Sequence, residues 1–67
     1  MNANLLKSEI VKNGLTQGDI AKALGMSKNT FTSRMQGKSD FGLEEANKIC
    51  EILHIDDGKL KLAIFFS

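Results

Sequence analysis

The sequence has no proline, no tryptophan and no tyrosine, and only one cysteine and one histidine. A lone cysteine closes no internal disulfide, and Cys50 with His54 falls short of the four ligands of a structural zinc site. No apolar run reaches the roughly 18–20 residues that span a bilayer, and no basic-plus-apolar leader opens the chain. The expected setting is therefore reducing cytoplasm, away from membranes. With 67 residues there is room for a single domain, 1–67, and little room for a ligand cavity of the usual few hundred Å³. An enzyme is not expected, nor a cofactor, a metal or a small-molecule ligand. A domain this small buries only about 60% of its unfolded surface, which makes self-association an expectation.

What is present is ordinary globular composition: 42% hydrophobic and 25% charged residues, too apolar for a disordered tail. The net charge of +1 conceals a split. Residues 1–38 carry Lys7, Lys12, Lys22, Lys28, Arg34 and Lys38 against Glu9 and Asp19. Residues 39–67 carry Lys48, Lys59 and Lys61 against Asp40, Glu44, Glu45, Glu51, Asp56 and Asp57. A basic half opposed to an acidic half suits a polyanion partner, and equally suits scattered surface charge.

Apolar spacing and glycines divide the chain into helices. The first is predicted over roughly 3–13, with Leu6, Ile10 and the flanking Leu5 and Val11 on its buried side, ended by Gly14. Thr16 with Asp19 three residues on is a capping-box variant that opens a second helix carrying Ile20, Ala21 and Leu24, stopped at Gly25. Ser27 caps a third, which runs to about Gln36 and stops at Gly37. Residues 38–42 read as a loop. A fourth helix begins at Leu43, with Leu43, Ala46, Ile49, Cys50 and Leu53 at three- and four-residue spacing, and Glu44, Glu45 and His54 complementing its dipole. In the last stretch Leu60, Leu62 and Ile64 alternate as in a strand, whereas Leu60 and Ile64 are also one helical turn apart with Asp56 available as a cap. The predicted outcome is a short helix running into an extended tail within 58–67.

The segment that carries function is Gln17 to Gln36, two short helices separated by Gly25-Met26-Ser27. Such a connection holds the helices at a steep angle, and the small Ala21 lets them approach. Ile20, Leu24, Met26, Phe31 and Met35 supply their shared apolar contact. The run Leu15-Thr16-Gln17-Gly18-Asp19-Ile20-Ala21-Lys22-Ala23-Leu24-Gly25-Met26-Ser27, continuing Lys28-Asn29-Thr30-Phe31-Thr32-Ser33-Arg34-Met35-Gln36-Gly37-Lys38, resembles the helix-turn-helix of the Cro and lambda-repressor-like (XRE) family. The resemblance covers about residues 3–55 and is nearest to small Cro-like proteins of phages and prophages. It implies an all-α bundle of four or five helices whose third helix reads the major groove, usually as a homodimer. One position departs from the pattern. Arg34 stands where the family usually has an aliphatic residue, and Met35 takes the buried role, which implies a small shift in the register of the third helix.

The residues of that helix sort themselves without the family. At about 100° per residue, placing Phe31 and Met35 inward points Asn29, Ser33 and Gln36 outward, with Thr30 and Thr32 on the flanks. A solvated helix face usually carries Glu and Lys, yet there is no carboxylate from Lys28 to Gly37. Asn pairs bidentately with adenine, Lys donates to guanine, and Ser or Thr serves either base. Lys28, Asn29, Thr32 and Ser33 are therefore the candidate base readers. For the DNA backbone the candidates are Gln17 and Lys38, which the resemblance implies, together with Ser27 and Arg34. An ion pair of Arg34 with Asp40 or Glu44 is an equal alternative.

Other residues invite less. Cys50 reads as a buried, inert thiol, His54 as a helix-end or surface histidine, and Asp56-Asp57 as a cap and turn. Leu62, Ile64, Phe65 and Phe66 are expected to pack back on the bundle, to form a dimer contact, or to do both. The expected function is a sequence-specific transcriptional regulator, a phage or prophage Cro-like repressor that binds a palindromic double-stranded operator as a homodimer. The alternative is a protein-interaction module that uses the same fold to bind a repressor or polymerase subunit without touching DNA.

Overall fold

Residues 1–66, which the computed structural model describes, fold into five short helices joined by turns and loops, each helix opened by a capping group: α1 (Ala3–Lys12), α2 (Gln17–Ala23), α3 (Lys28–Met35), α4 (Leu43–Ile52) and α5 (Gly58–Phe65). The cap of α1 is Asn2, whose Oδ1 accepts from Leu5 N–H at 3.0 Å. At α2 the reciprocal box forms in full. Asp19 N–H donates to Thr16 Oγ1 at 3.1 Å and Thr16 N–H donates to Asp19 Oδ2 at 2.9 Å. Ser27 caps α3, and Asp57, rather than the expected Asp56, caps α5. Gly42 has no side chain to offer, so α4 is capped from inside: Gly42 N–H donates to Glu45 Oε1 at 2.9 Å.

The helix ends repeat one device. After α1, α2 and α3 the chain reverses through Gly14, Gly25 and Gly37, all at positive φ. The following residue donates back to a carbonyl of the last turn, as Leu15 N–H does to Ile10 O at 3.1 Å. After α4 the same reversal is made by His54 at φ 56, with Ile55 N–H on Cys50 O at 2.8 Å. The expected helix-end histidine thus has a backbone role, filling a left-handed position that three glycines fill elsewhere.

Leu6 and Ile10 of α1, Ile20 and Ala21 of α2, Phe31 and Met35 of α3, Ile49 and Cys50 of α4, Leu53, Ile55, and Ile64 of α5 form a single core. Two expected core residues lie outside it. Val11 is 73% exposed, because Leu6 and Ile10 already define the inward stripe of α1 and Val11 lies a further 100° round. Leu43 is 65% exposed as the first residue of α4, where the chain is still arriving from the loop.

The carboxyl-terminal stretch is helical through Phe65 with Phe66 as its cap residue, in place of the expected extended tail. A lone strand would leave its ladder groups unpaired, whereas α5 satisfies its own backbone and docks against the amino terminus, Asn2 N–H donating to Ile64 O at 2.7 Å. Ser67, the last residue of the expected tail, lies outside the described residues. Ile64 is buried, while Leu62 and Phe66 are each 57% exposed. Phe65 meets Phe41 edge-on at 6.2 Å, and Phe41 meets Phe31 at 5.4 Å, a chain of rings that ties α5 through the loop to α3.

Candidate nucleic-acid interface

α2 and α3 are joined by Leu24, Gly25, Met26 and Ser27, and the joint is set by backbone bonds. Gly25 N–H donates to Lys22 O at 3.1 Å and Met26 N–H to Ala21 O at 3.0 Å. Gly25 sits at φ 72, a conformation that a side chain would strain. Ala21 and Ile20 are buried at the crossing, and Leu24 and Met26 pack at its edge. Ser27 then starts α3 with a doubly used hydroxyl. Its Oγ accepts from Thr30 N–H at 3.1 Å and donates to Thr30 Oγ1 at 2.9 Å.

Phe31 and Met35 are the inward residues of α3, one turn apart, so its opposite side faces solvent. Asn29, Thr30 and Gln36 are exposed away from that stripe, Lys28 is exposed as the first residue of the helix, and no acidic side chain accompanies them. Thr32 and Ser33 are half-buried. Ser33 is less open than periodicity predicts because the chain folds back beyond Gly37, where Lys38 N–H donates to Ser33 O at 3.0 Å. Lys38 itself is exposed, and among the described residues neither it nor Lys28 is in an ion pair. Gln17 is half-buried in the first turn of α2. That turn also holds Asp19, whose carboxyl lies below the ordinary carboxylate range chiefly because it accepts the Thr16 N–H.

Arg34 points elsewhere. Its Nη1 donates to Glu45 Oε2 on α4, with both side chains mostly covered. The expected pairing with Asp40 or Glu44 is thus corrected to Glu45, the residue that one helical turn brings back over Gly42. Glu45 lies below its ordinary range first because it accepts the Gly42 N–H, with Arg34 adding to the effect against desolvation. Phe41 is a residue that sequence reasoning passed over, and Glu45 was read for the helix dipole alone and not as the partner of Arg34. A lone aromatic in a polar loop and a first-turn glutamate were the available signals.

A family model described as helix-turn-helix matches residues 6–60. The chain belongs to that family, of the Cro and lambda-repressor-like (XRE) type. No curated protein and no solved structure matches the chain. Helix-turn-helix domains of this family are DNA-binding regulators and not enzymes, and this one is a DNA-binding helix-turn-helix domain. Among the described residues no helix is long and apolar enough to cross a membrane. Cys50 of the domain is buried, and burial pushes its thiol up, away from the reactive thiolate.

Proposed function

We propose that this helix-turn-helix domain is a sequence-specific transcriptional regulator of the phage or prophage Cro-like kind, which represses by occupying a promoter. The observation that carries the proposal is the side of α3 turned away from the core, which offers Asn29 and Gln36 and no carboxylate, with Lys28 exposed at the start of the helix and, among the described residues, in no ion pair. A surface of that kind leaves phosphates unrepelled and presents donors and acceptors to base edges. In this reading Lys28 and Asn29 read bases in the major groove, with Thr32 and Ser33 contributing at the edge of the contact. Lys38 and the Gln17 amide dock on the backbone. Ser27 supports that docking through the cap that aims the first turn of α3, its hydroxyl proton being held by Thr30.

The domain measures 28 Å along its longest axis, and successive major-groove faces are about 34 Å apart, so one copy reads one half-site. Two copies on a palindromic operator complete the reading. Leu62 and Phe66, one turn apart on α5 and both left exposed, are the part of the apolar end that core packing does not use. They are the proposed contact between copies.

The test is selection of bound duplexes from a random pool at about 150 mM salt, where purely electrostatic binding is weak. A two-fold-symmetric enriched site is the expected outcome. Retention with no enriched sequence, or no retention, would overturn the proposal in favour of a protein-interaction module built on the same fold.

A further inference from the structure

α3 is held at its start by its crossing with α2 and at its end by a different kind of contact. Its buried side chains are Phe31 and Met35, and its amino-terminal end is fixed by the Gly25–Ser27 joint. Beside the Phe31–Phe41 ring contact, a polar tie sits at the other end. Arg34, in the last turn of α3, donates through Nη1 to Glu45 in the first turn of α4. The other oxygen of that carboxylate accepts the Gly42 N–H at 2.9 Å, so the α4 backbone fixes the acceptor before the arginine meets it. Arg34 Nε is buried and, among the described residues, has no acceptor of its own. An arginine serving solvent or phosphate keeps its N–H groups wet, whereas this guanidinium is drawn inward for one partner.

We propose that the Arg34–Glu45 pair is a positioning clamp that sets the tilt of α3 against α4, and so governs which DNA sequence the domain selects without touching a base. The proposal rests on α3 being the base-reading helix. An eight-residue helix is roughly 12 Å long, so a tilt of about 10° about its fixed amino-terminal joint moves Thr32 and Ser33 by about 1 Å and Gln36 by about 2 Å. Hydrogen bonds to base edges do not survive such a displacement. Arg34 and Glu45 are thus positioning residues, and the operator contacts belong to other side chains.

The experiment compares Glu45→Gln, Arg34→Met and the double variant with the unaltered chain. Glutamine still accepts the Gly42 N–H, so the α4 cap survives while the ion pair is lost, and methionine keeps the apolar stem of the arginine. Each single variant should bind the selected duplex about tenfold more weakly, as expected for a network residue remote from the ligand. The double variant should match the singles to within about threefold, because both remove one interaction. The dependence of binding on salt should keep its slope. If Arg34 instead contacts a phosphate, Arg34→Met flattens that slope by about one unit and Glu45→Gln, by freeing the arginine, tightens binding. Either of those results overturns the clamp, as does unaltered binding by every variant.

Amide exchange of the free protein gives a second measurement that needs no DNA. Residues 28–35 should exchange faster in Glu45→Gln while α1 is unchanged, and equal protection in α3 overturns the proposal. A failure of the unaltered chain to enrich any sequence would count against the DNA-reading role instead, and the exchange result would still decide the clamp.

Discussion

α3 and α4 are alike in build and opposite in surface. Both are short, capped at the start, reversed through a left-handed residue at the end, and anchored by a few buried side chains. The exposed side of α4 carries Glu44, Asn47, Lys48 and Glu51, the mixture that keeps an ordinary helix in water. The exposed side of α3 carries Asn29, Thr30 and Gln36 with no acid, and Lys28 is exposed at its start. Inward-facing residues therefore say that each helix belongs to the bundle, and only the outward-facing ones say which helix has a partner.

The comparison can be pressed at four points. The largest effect should come where the helices are equivalent. Phe31→Ala on α3 and Ile49→Ala on α4 should cost about 3–5 and about 2–5 kcal/mol respectively, since both side chains are fully buried. A domain of this size holds only about 3–10 kcal/mol in total, so denaturant melts should show both variants largely or wholly unfolded. A mild effect of Phe31→Ala would mean that α3 is not part of the core.

On the exposed sides the helices should part company. Asn29→Ala should lose about 1–3 kcal/mol on the selected duplex, read by titration, with specificity relaxed at one position. Lys48→Ala on α4 should leave both DNA binding and stability within about 0.5 kcal/mol. Equal losses from the two would erase the distinction between the surfaces.

The helix ends offer a smaller contrast. Gly25→Ala puts a side chain at positive φ and should destabilise by about 1–2 kcal/mol. His54→Gly removes the same strain after α4 and should raise the thermal midpoint, a gain of up to about 1 kcal/mol. Movement in the same direction would show that His54 has a role beyond its backbone angle.

The smallest effect is acid sensitivity. Asp19 at α2 and Glu45 at α4 both titrate below their ordinary ranges in the folded chain. Lowered folded values mean stability that is complete above the unfolded values of about 4 and lost as pH falls through the folded ones. Thermal midpoints should hold down to about pH 5 and drop below about pH 4, and Asp19→Asn should flatten the drop. An unchanged acid limb in Asp19→Asn would remove the capping box from the account.

Much of this was legible in the residues because it is local. Thr16 with Asp19, Ser27, and the glycines at 14, 25 and 37 each act locally, so their spacing alone predicts where α2 and α3 begin and where α1 to α3 end. The partner of Arg34 was not legible. Asp40, Glu44 and Glu45 all lie within reach in sequence, and the choice among them depends on how the loop 37–42 places the first turn of α4. Phe41 was hidden for a similar reason, since its contacts with Phe31 and Phe65 join segments ten and twenty-four positions away.

The sequence by itself determined α1 to α4, the turn between α2 and α3, most of the stripe that faces the core and the acid-free side of α3. Those follow from periodicity, capping chemistry and the conformational freedom of glycine, which need no distant partner. Tertiary structure decided that the last stretch is a helix, that Leu62 and Phe66 stay exposed while Ile64 is buried, and that Arg34 turns to Glu45. Each of these depends on what surface the rest of the bundle leaves available, and that surface exists only once the helices have packed.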